Sequence, residues 1–316
     1  MPKRNQITRI FLFFAALQIL ATAGLLAQTT GSFVVAAYNI ENWVLMDRRG
    51  APNQPKPQAE KRAVFDVLQV VRPDVLGLVE LGSKTELAEV IDGLRQRGLD
   101  YPFNEWIQGG DSTRHVALLS RFPIAERFSR TDYSSQMDGQ SMRINRGILD
   151  VLVQVNDRYA FRAIVVHLKS KVPSRIGDQA VMRLEEARLL RSHLDTALKQ
   201  NPRCNLFAMG DYNDTPESEP ISVIVGSEGF RLFDLMPVDS RGGHDTHYWK
   251  ARDMFSRIDY LLVSPGMSNE YIEGSARIAD VPGWDTASDH RAIYASFHDR
   301  ELGEAAGKWS EPQSVG

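Results

Sequence analysis

Cysteine is almost absent from this chain: Cys204 is the only one in 316 residues. An internal disulfide is therefore excluded, and so is the cysteine-ligand spacing of a structural zinc site. The HExxH pattern of zinc hydrolases is missing too. Beyond Leu26 no apolar stretch is long enough to cross a bilayer as a helix. Neither sign of charge dominates, with 37 Lys and Arg against 40 Asp and Glu and a formal net charge of -3. That balance argues against tight nonspecific binding of long nucleic acid through a basic face alone. It leaves room for a local basic groove or a bound cation. Internal repeats, low-complexity linkers and sharp domain boundaries are also lacking.

What remains is an ordinary globular composition, 43% hydrophobic and 24% charged, long enough to bury a large core. Cys204 opens an apolar strand and reads as a small buried hydrophobe rather than a reactive thiol. The start of the chain is different. Lys3, Arg4 and Arg9 precede an apolar run from Ile10 to Leu26, with small residues at Ala21, Ala23, Gly24 and Ala27. Residues 1–27 are thus expected to be a secretory signal peptide, cleaved after Ala23 or Ala27; an uncleaved anchor helix is the competing reading. The expectation is a secreted or periplasmic monomer without stable membrane insertion after cleavage. Residues 31–298 form its folded domain, and residues 299–316 a loosely held polar tail.

Strands are expected at Phe33 to Ile40, Val75 to Val79, Tyr101 to Ile107, His115 to Ser120, Gly147 to Val155, Tyr159 to His167, Leu206 to Met209, Phe230 to Leu235, Arg257 to Ser264 and His290 to Phe297. Helical spacing runs from Ala59 to Val71, Lys84 to Arg97 and Gly177 to Lys199, with a short helix near Pro220 to Val225. Pro52, Pro55 and Pro57 predict a loop, and Asn156-Asp157-Arg158 a hairpin turn. Hairpin pairs mix with strand-helix-strand units along the whole chain. Two sheets packed face to face with helices outside bury this pattern best.

The stretch around which the rest is organised is Leu206-Phe-Ala-Met-Gly-Asp-Tyr-Asn213. An apolar strand stops at Gly210, and Asp211 and Asn213 follow, two residues apart and able to face the same way. Other strands end similarly: Asn39 after Val34 to Tyr38, Glu80 after Leu76 to Val79, His167 after Ala163 to Val166. Asp259 interrupts Arg257 to Val263, and Asp289-His290 precedes Arg291 to Tyr294. If the strands lie side by side, these residues converge on one edge. Glu80 and Asp289, with Asn39 nearby, offer oxygen ligands to a hard divalent cation, Mg²⁺ or Mn²⁺. Asp211 can hold or deprotonate a water, and Asn213 can orient that water or a phosphate oxygen. His290 and His167 can contact phosphoryl oxygens, and Asp259 can fix the tautomer of His290 and favour its cationic form. Hydrolysis of a phosphate diester needs its charge offset, a water activated and the leaving oxygen stabilised, and this set suits that chemistry.

Seven segments, in this order, resemble the endonuclease/exonuclease/phosphatase superfamily: Tyr38-Asn39-Ile40, Pro73 to Glu80, Val116 to Arg121, Val166 to Ser170, Gly210 to Asn213, Arg257 to Tyr260 and Ser288 to His290. The resemblance spans nearly the whole chain after its first thirty or so residues. It implies a four-layer α/β/β/α sandwich of two mixed, mostly antiparallel sheets, and metal-dependent cleavage of phosphoester bonds. It further implies Glu80 as the main metal ligand with Asn39 and Asp289 close by, Asp211 aligning or deprotonating the water beside Asn213, and His167 and His290 flanking the phosphate with Asp259 behind His290. Histidine at position 167 is similar to the secreted deoxyribonuclease and sphingomyelinase branches. Val79 departs from the family, which often has Gln there.

Three further residues are candidates for substrate contact: Arg146 for a phosphate, and His247 or Trp249 for hydrogen bonding or stacking. The competing reading of the last two is an aromatic loop anchor with solvent-facing histidines. The basic run Lys169, Lys171 and Arg175 either lines the groove or is a solvated loop. The substrate expected is DNA or RNA, with a phosphatase or phospholipid-headgroup hydrolase as the alternative in the same fold. A noncatalytic binding protein is the alternative of another class. No loop reads along the chain as two adjacent exposed aromatics flanked by apolar residues, which weighs against lipid.

Overall fold

The computed structural model describes residues 31–137, 140–173, 177–227 and 229–303. The expected signal peptide, Arg175 and the end of the tail lie outside them. In chain order the first elements are β1 (Ser32–Trp43), β2 (Met46–Arg48), β3 (Ala51–Gln54), α1 (Gln58–Val71), β4 (Val75–Leu81), α2 (Lys84–Arg95), β5 (Phe103–Ile107), β6 (His115–Ser120) and β7 (Ile124–Arg127). There follow β8 (Ser134–Met137), β9 (Gln140–Arg143), β10 (Leu149–Asn156), β11 (Tyr159–His167), α3 (Gln179–Gln200), β12 (Leu206–Asp211) and α4 (Glu219–Val225). The last are β13 (Phe233–Asp234), β14 (His247–Trp249), β15 (Met254–Ser256), β16 (Asp259–Val263), β17 (Arg277–Ile278), α5 (Trp284–Ala287) and β18 (Ile293–His298).

Two six-stranded sheets carry the fold, ordered β17-β18-β1-β4-β6-β5 and β13-β16-β12-β11-β10-β7. Each holds a single parallel pair, β1 with β4 and β11 with β12; all its other pairings are antiparallel. Side chains alternate along each strand, so every central strand serves two layers. Phe33, Val35 and Ala37 of β1 meet Phe161, Val165, Phe207 and Met209 between the sheets. Ala36 and Tyr38 face the other way and pack with Leu76 and Leu78 under Val64 and Leu68 of α1 and Val90 of α2. Ile164, Val166, Leu206 and Ala208 pack under Leu190 and Leu194 of α3 and Ile224 of α4. The result is the expected four-layer α/β/β/α sandwich.

Helix ends are set locally. Ser83 and Glu86 form a capping box on α2, and the Asp178 carboxylate caps α3 by accepting from the N–H groups of Ala180 and Val181. Arg72 closes α1 in the left-handed conformation, just before Pro73. Helix and strand positions agree with the sequence pattern except where packing is thin. The proline stretch expected as loop forms the β2–β3 hairpin, a two-stranded ribbon whose exposed edges tolerate Pro52. Phe230 to Leu235 shrinks to the two residues of β13. The final strand begins at Ile293 because His290 is held instead in an isolated bridge to His247.

The β14–β15 hairpin corrects another expectation. Tyr248 pairs with Phe255 and Trp249 with Met254, and Trp249, Met254 and Phe255 are about half exposed. The two exposed aromatics, Trp249 and Phe255, lie on facing strands of the hairpin rather than side by side in the chain, so a linear scan for adjacent exposed aromatics misses them. Residues 299–303 are also better held than expected. Asn156 Nδ2 donates to the Asp299 carbonyl, Asn205 Nδ2 to Glu301, and Leu302 N–H to Glu270.

Candidate active site

The register of the second sheet assembles the site. His167 of β11 stands opposite Asp211 of β12, and Asp211 opposite Asp259 of β16. Three residues remote in sequence thus form one row across the strand ends. Gly210 keeps that row close: it sits at φ 134°, and a Cβ there would lie 2.0 Å from the Val166 carbonyl oxygen.

The first sheet contributes its residues differently. Register slips between Asn39 and Trp43 on β1 and between Val79 and Leu81 on β4. Glu41 (φ 42°), Asn42 (φ 52°) and Glu80 (φ 61°) all occupy left-handed backbone there. Such a position costs on the order of 1–3 kcal/mol for a residue other than glycine, and bulges of this kind turn side chains out of the ladder. Here they turn acidic side chains toward the row. The Glu80 carboxylate is fixed by the Asn42 N–H at 2.8 Å, and its other oxygen lies 3.9 Å from His167 Nε2.

Asp211 is the hub. Its Oδ1 accepts from the Asn213 N–H at 2.8 Å. Its Oδ2 accepts from Asn39 Nδ2 at 3.0 Å and Asn213 Nδ2 at 3.2 Å, and lies 3.5 Å from His167 Nε2 and 3.7 Å from His290 Nε2. Burial pushes this carboxyl up to about 7; Asp259 and Glu80 add to the rise, against His290 and the Asn213 N–H. Burial depresses His290, but Asp259, Asp211 and the 2.8 Å contact of Nδ1 with Asp259 outweigh it and carry its pKa well above the usual imidazole range. His167 moves the opposite way, held well below that range by burial and by Arg146, His290 and Arg114. The site therefore holds one cationic and one neutral imidazole on either side of Asp211.

Ser288 orders the last segment: its hydroxyl donates to the Asn39 carbonyl and accepts the His290 N–H. Asp289 borders the row, with one oxygen 3.9 Å from His290 Nε2 and the other 3.9 Å from His247 Nε2. The His247 and His290 rings lie 4.7 Å apart.

The chemistry of the donor set tests the expected cation. Glu80 and Asp289 have no Lys or Arg within 4.0 Å among the described residues, only histidine nitrogens. Glu41 has its pKa raised by burial, by Asp289 and by Glu80, against a lowering by Lys56, and accepts the Asp289 N–H at 3.1 Å. Clustered carboxylates without a cationic partner suit a hard divalent ion. Two tight groups, His247–Asp289–His290 and Asp211–Asp259–His290, bring ligand atoms within 4.8 Å of one another. In the second, Asp259 and His290 already satisfy each other, so of the two groups the one with Asp289 is freer to hold a cation; Glu41 stands near both Asp289 and Glu80, but these three carboxylates do not form so tight a group.

Every expected catalytic and metal residue reaches this one edge. Asn39 and Asn213 are more committed than expected. The Asn213 amide donates to Asp211 and to the Leu168 carbonyl, and Asn39 Oδ1 accepts the Glu41 N–H, so both act as braces for their neighbours. Arg146 is buried beside His167. Its Nε pairs with Asp111 at 3.3 Å without hydrogen-bond geometry, and neither Nε nor Nη1 has a hydrogen-bond partner among the described residues. His247 enters the site, whereas Trp249 stays on the rim with Arg252 5.4 Å over its ring. The basic run holds its own loop: Lys169 Nζ donates to the Ser170 and Val172 carbonyls and Lys171 pairs with Asp214. Sequence reasoning missed Glu41, Asn42 and Arg114. The signal for Glu41 was its spacing of two from Asn39; Asn42 and Arg114 gave none.

The chain matches the model of the Endonuclease/Exonuclease/phosphatase family over residues 44–290. No curated protein matches its sequence. Among solved structures, truncated TDP2 from Caenorhabditis elegans is similar with a TM-score of 0.59 and 18% identity, covering 84% of this chain and 98% of that one. The human Nocturnin catalytic domain with a bound sulfate gives 0.60 and 16%, over 84% and 94%. Sphingomyelinase C from Streptomyces griseocarneus gives 0.57 and 17%, over 85% and 100%. At these identities the likeness is one of fold.

Proposed function

We propose, for a chain that belongs to the Endonuclease/Exonuclease/phosphatase family, an exported, divalent-metal-dependent phosphodiesterase that cleaves nucleic acid. The phosphoesterase class follows from the family; the nuclease activity, the export and a monomeric state are our reading. One observation carries the chemistry: the row His167–Asp211–Asp259, closed by His290, beside the Glu80 and Asp289 carboxylates, which have no Lys or Arg within 4.0 Å among the described residues.

Glu80, Glu41 and Asp289 would hold Mg²⁺ or Mn²⁺, which supplies positive charge to the phosphoryl and leaving oxygens. Asp211 aligns the attacking water and takes its proton; a carboxyl raised toward neutrality suits that task. Asn39 and Asn213 hold both Asp211 oxygens in place. Cationic His290, backed by Asp259, faces the charge that builds on the phosphoryl group. Neutral His167 offers a hydrogen bond from the other side. Buried and only partly satisfied, Arg146 is suited to a phosphate oxygen, and Trp249 on the rim to stacking against a base.

A phospholipid-headgroup hydrolase is the second reading, favoured by one feature: the hairpin that exposes Trp249, Met254 and Phe255 beside the site. The test offers the purified protein plasmid DNA, RNA, sphingomyelin and bis(p-nitrophenyl) phosphate, each with Mg²⁺, Mn²⁺ or chelator. Metal-dependent cleavage of DNA or RNA is expected. Faster turnover of sphingomyelin supports the lipid reading, and no turnover of any diester leaves a binding protein.

A further inference from the structure

Asn42 joins three charged side chains. Its N–H holds Glu80, its carbonyl accepts from Arg48 Nη2, and its Oδ1 accepts from Arg114 Nε at 2.8 Å. Two guanidinium groups therefore meet on one neutral residue at the lip of the site. Neither has a carboxylate within 4.0 Å among the described residues, and Arg48 Nε is buried without a partner. Arg114 is near enough to help depress His167, and Arg48 near enough to help depress Lys56. Lys56 itself is spent on the Glu41 carbonyl and Glu60. Like charges gathered on a neutral anchor repel, and an arginine whose role is purely structural usually finds an acid. Beside Arg48 lies an open hollow of about 680 Å³, lined also by Asp47, Arg49, Lys56 and Glu60; Arg114 stands outside it, on the other side of Asn42.

We infer that Arg48 and Arg114, anchored on Asn42, form a subsite for a second phosphate group of the substrate, next to the one that is hydrolysed. The inference rests on the phosphodiesterase reading and narrows it to substrates with neighbouring phosphates. Two guanidinium forks match phosphate oxygens in both charge and geometry. The same Asn42 whose N–H aims Glu80 sets the spacing between the two phosphate positions.

The experiment compares kcat/KM for thymidine dinucleotide without a terminal phosphate, with one at its 5′ end, with one at its 3′ end, and for the trinucleotide. The wild type is expected to prefer at least one phosphate-bearing substrate roughly tenfold or more, and Arg48→Gln/Arg114→Gln to lose that preference. A gain with a terminally phosphorylated dinucleotide identifies a monoester as the ligand; a gain with the trinucleotide alone identifies an internal diester. Arg95→Gln, altered at an exposed arginine of α2 that pairs with Asp92 and Asp100, keeps the wild-type ratio. No preference in the wild type, or its survival in the double variant, overturns the subsite. A titration of thymidine 3′,5′-bisphosphate under chelator decides independently of turnover: at least tenfold weaker binding by the double variant is expected, and equal binding overturns it. If no diester is turned over but this difference is found, the function fails and the subsite stands. Should the double variant not fold, Arg48→Lys/Arg114→Lys enters the same titration, because an ammonium keeps charge but loses the fork; it too is expected to bind less tightly.

Discussion

The two sheets deliver their functional groups by opposite means. The second sheet uses a regular ladder: His167, Asp211 and Asp259 lie in register, and their spacing is that of neighbouring strands. The first sheet breaks its ladder at the same end, with Glu41, Asn42 and Glu80 in left-handed backbone. The difference matches the tasks proposed for the two sets. Proton-handling groups must keep fixed hydrogen-bond distances to one another, which a ladder provides without strain. Cation-holding carboxylates repel one another and must still point to one place, which a bulge provides at a cost.

This contrast can be tested by attacking each sheet separately. The largest effect is expected from the ladder side: Asp211→Asn lowers kcat by roughly 10²–10⁴-fold with unchanged circular dichroism. His290→Ala follows, with a kcat loss on the order of 10²–10³-fold and little change in KM. Gly210→Ala, on β12 beside Asp211, forces a Cβ against the Val166 carbonyl oxygen. A stability loss of roughly 3 kcal/mol or more in urea unfolding is expected, since overpacking and left-handed strain add. On the bulged side the sign reverses. Glu41→Gly relieves both strain and carboxylate repulsion, so stability should rise by about 1 kcal/mol while the Mg²⁺ concentration needed for half-maximal activity increases. A stability loss there would remove the idea that the first sheet is strained for function.

The smallest effect concerns pH. Burial raises the Asp214 carboxyl, but its ion pairs with Arg183 and Lys171 outweigh that and leave its pKa below the usual value. A depressed acid stabilises the fold above its unfolded pKa and loses that contribution as pH falls through the folded one. Unfolding midpoints should therefore fall below about pH 4, and less steeply in Asp214→Asn.

The same contrast explains what the sequence made legible. Strands such as β6 and β11 were placed correctly because an apolar run ending in a polar residue is a strong local pattern, and the ladder then carried His167, Asp211 and Asp259 to one edge. Glu41 and Asn42 stayed hidden because a bulge shifts side-chain direction without changing composition. Arg114 was hidden because its importance comes from Asn42, remote from it in sequence. The β14–β15 hairpin, solvated at its tip, has no buried face to impose an alternating pattern, so Trp249 was identified as a candidate while its strand was not.

One feature of the first sheet bears on how the molecule is made. Strand β1 is flanked by β4 on one side and by β18 on the other, with Ser32 opposite His298. During synthesis the earliest strand must wait for the latest before its second edge is covered. His290 arrives in the same closing segment, so a ribosome-bound chain carries Asp211 without its cationic partner. Completion of the sheet and delivery of His290 to Asp211 become a single event, and a shortened product ending before that segment lacks both.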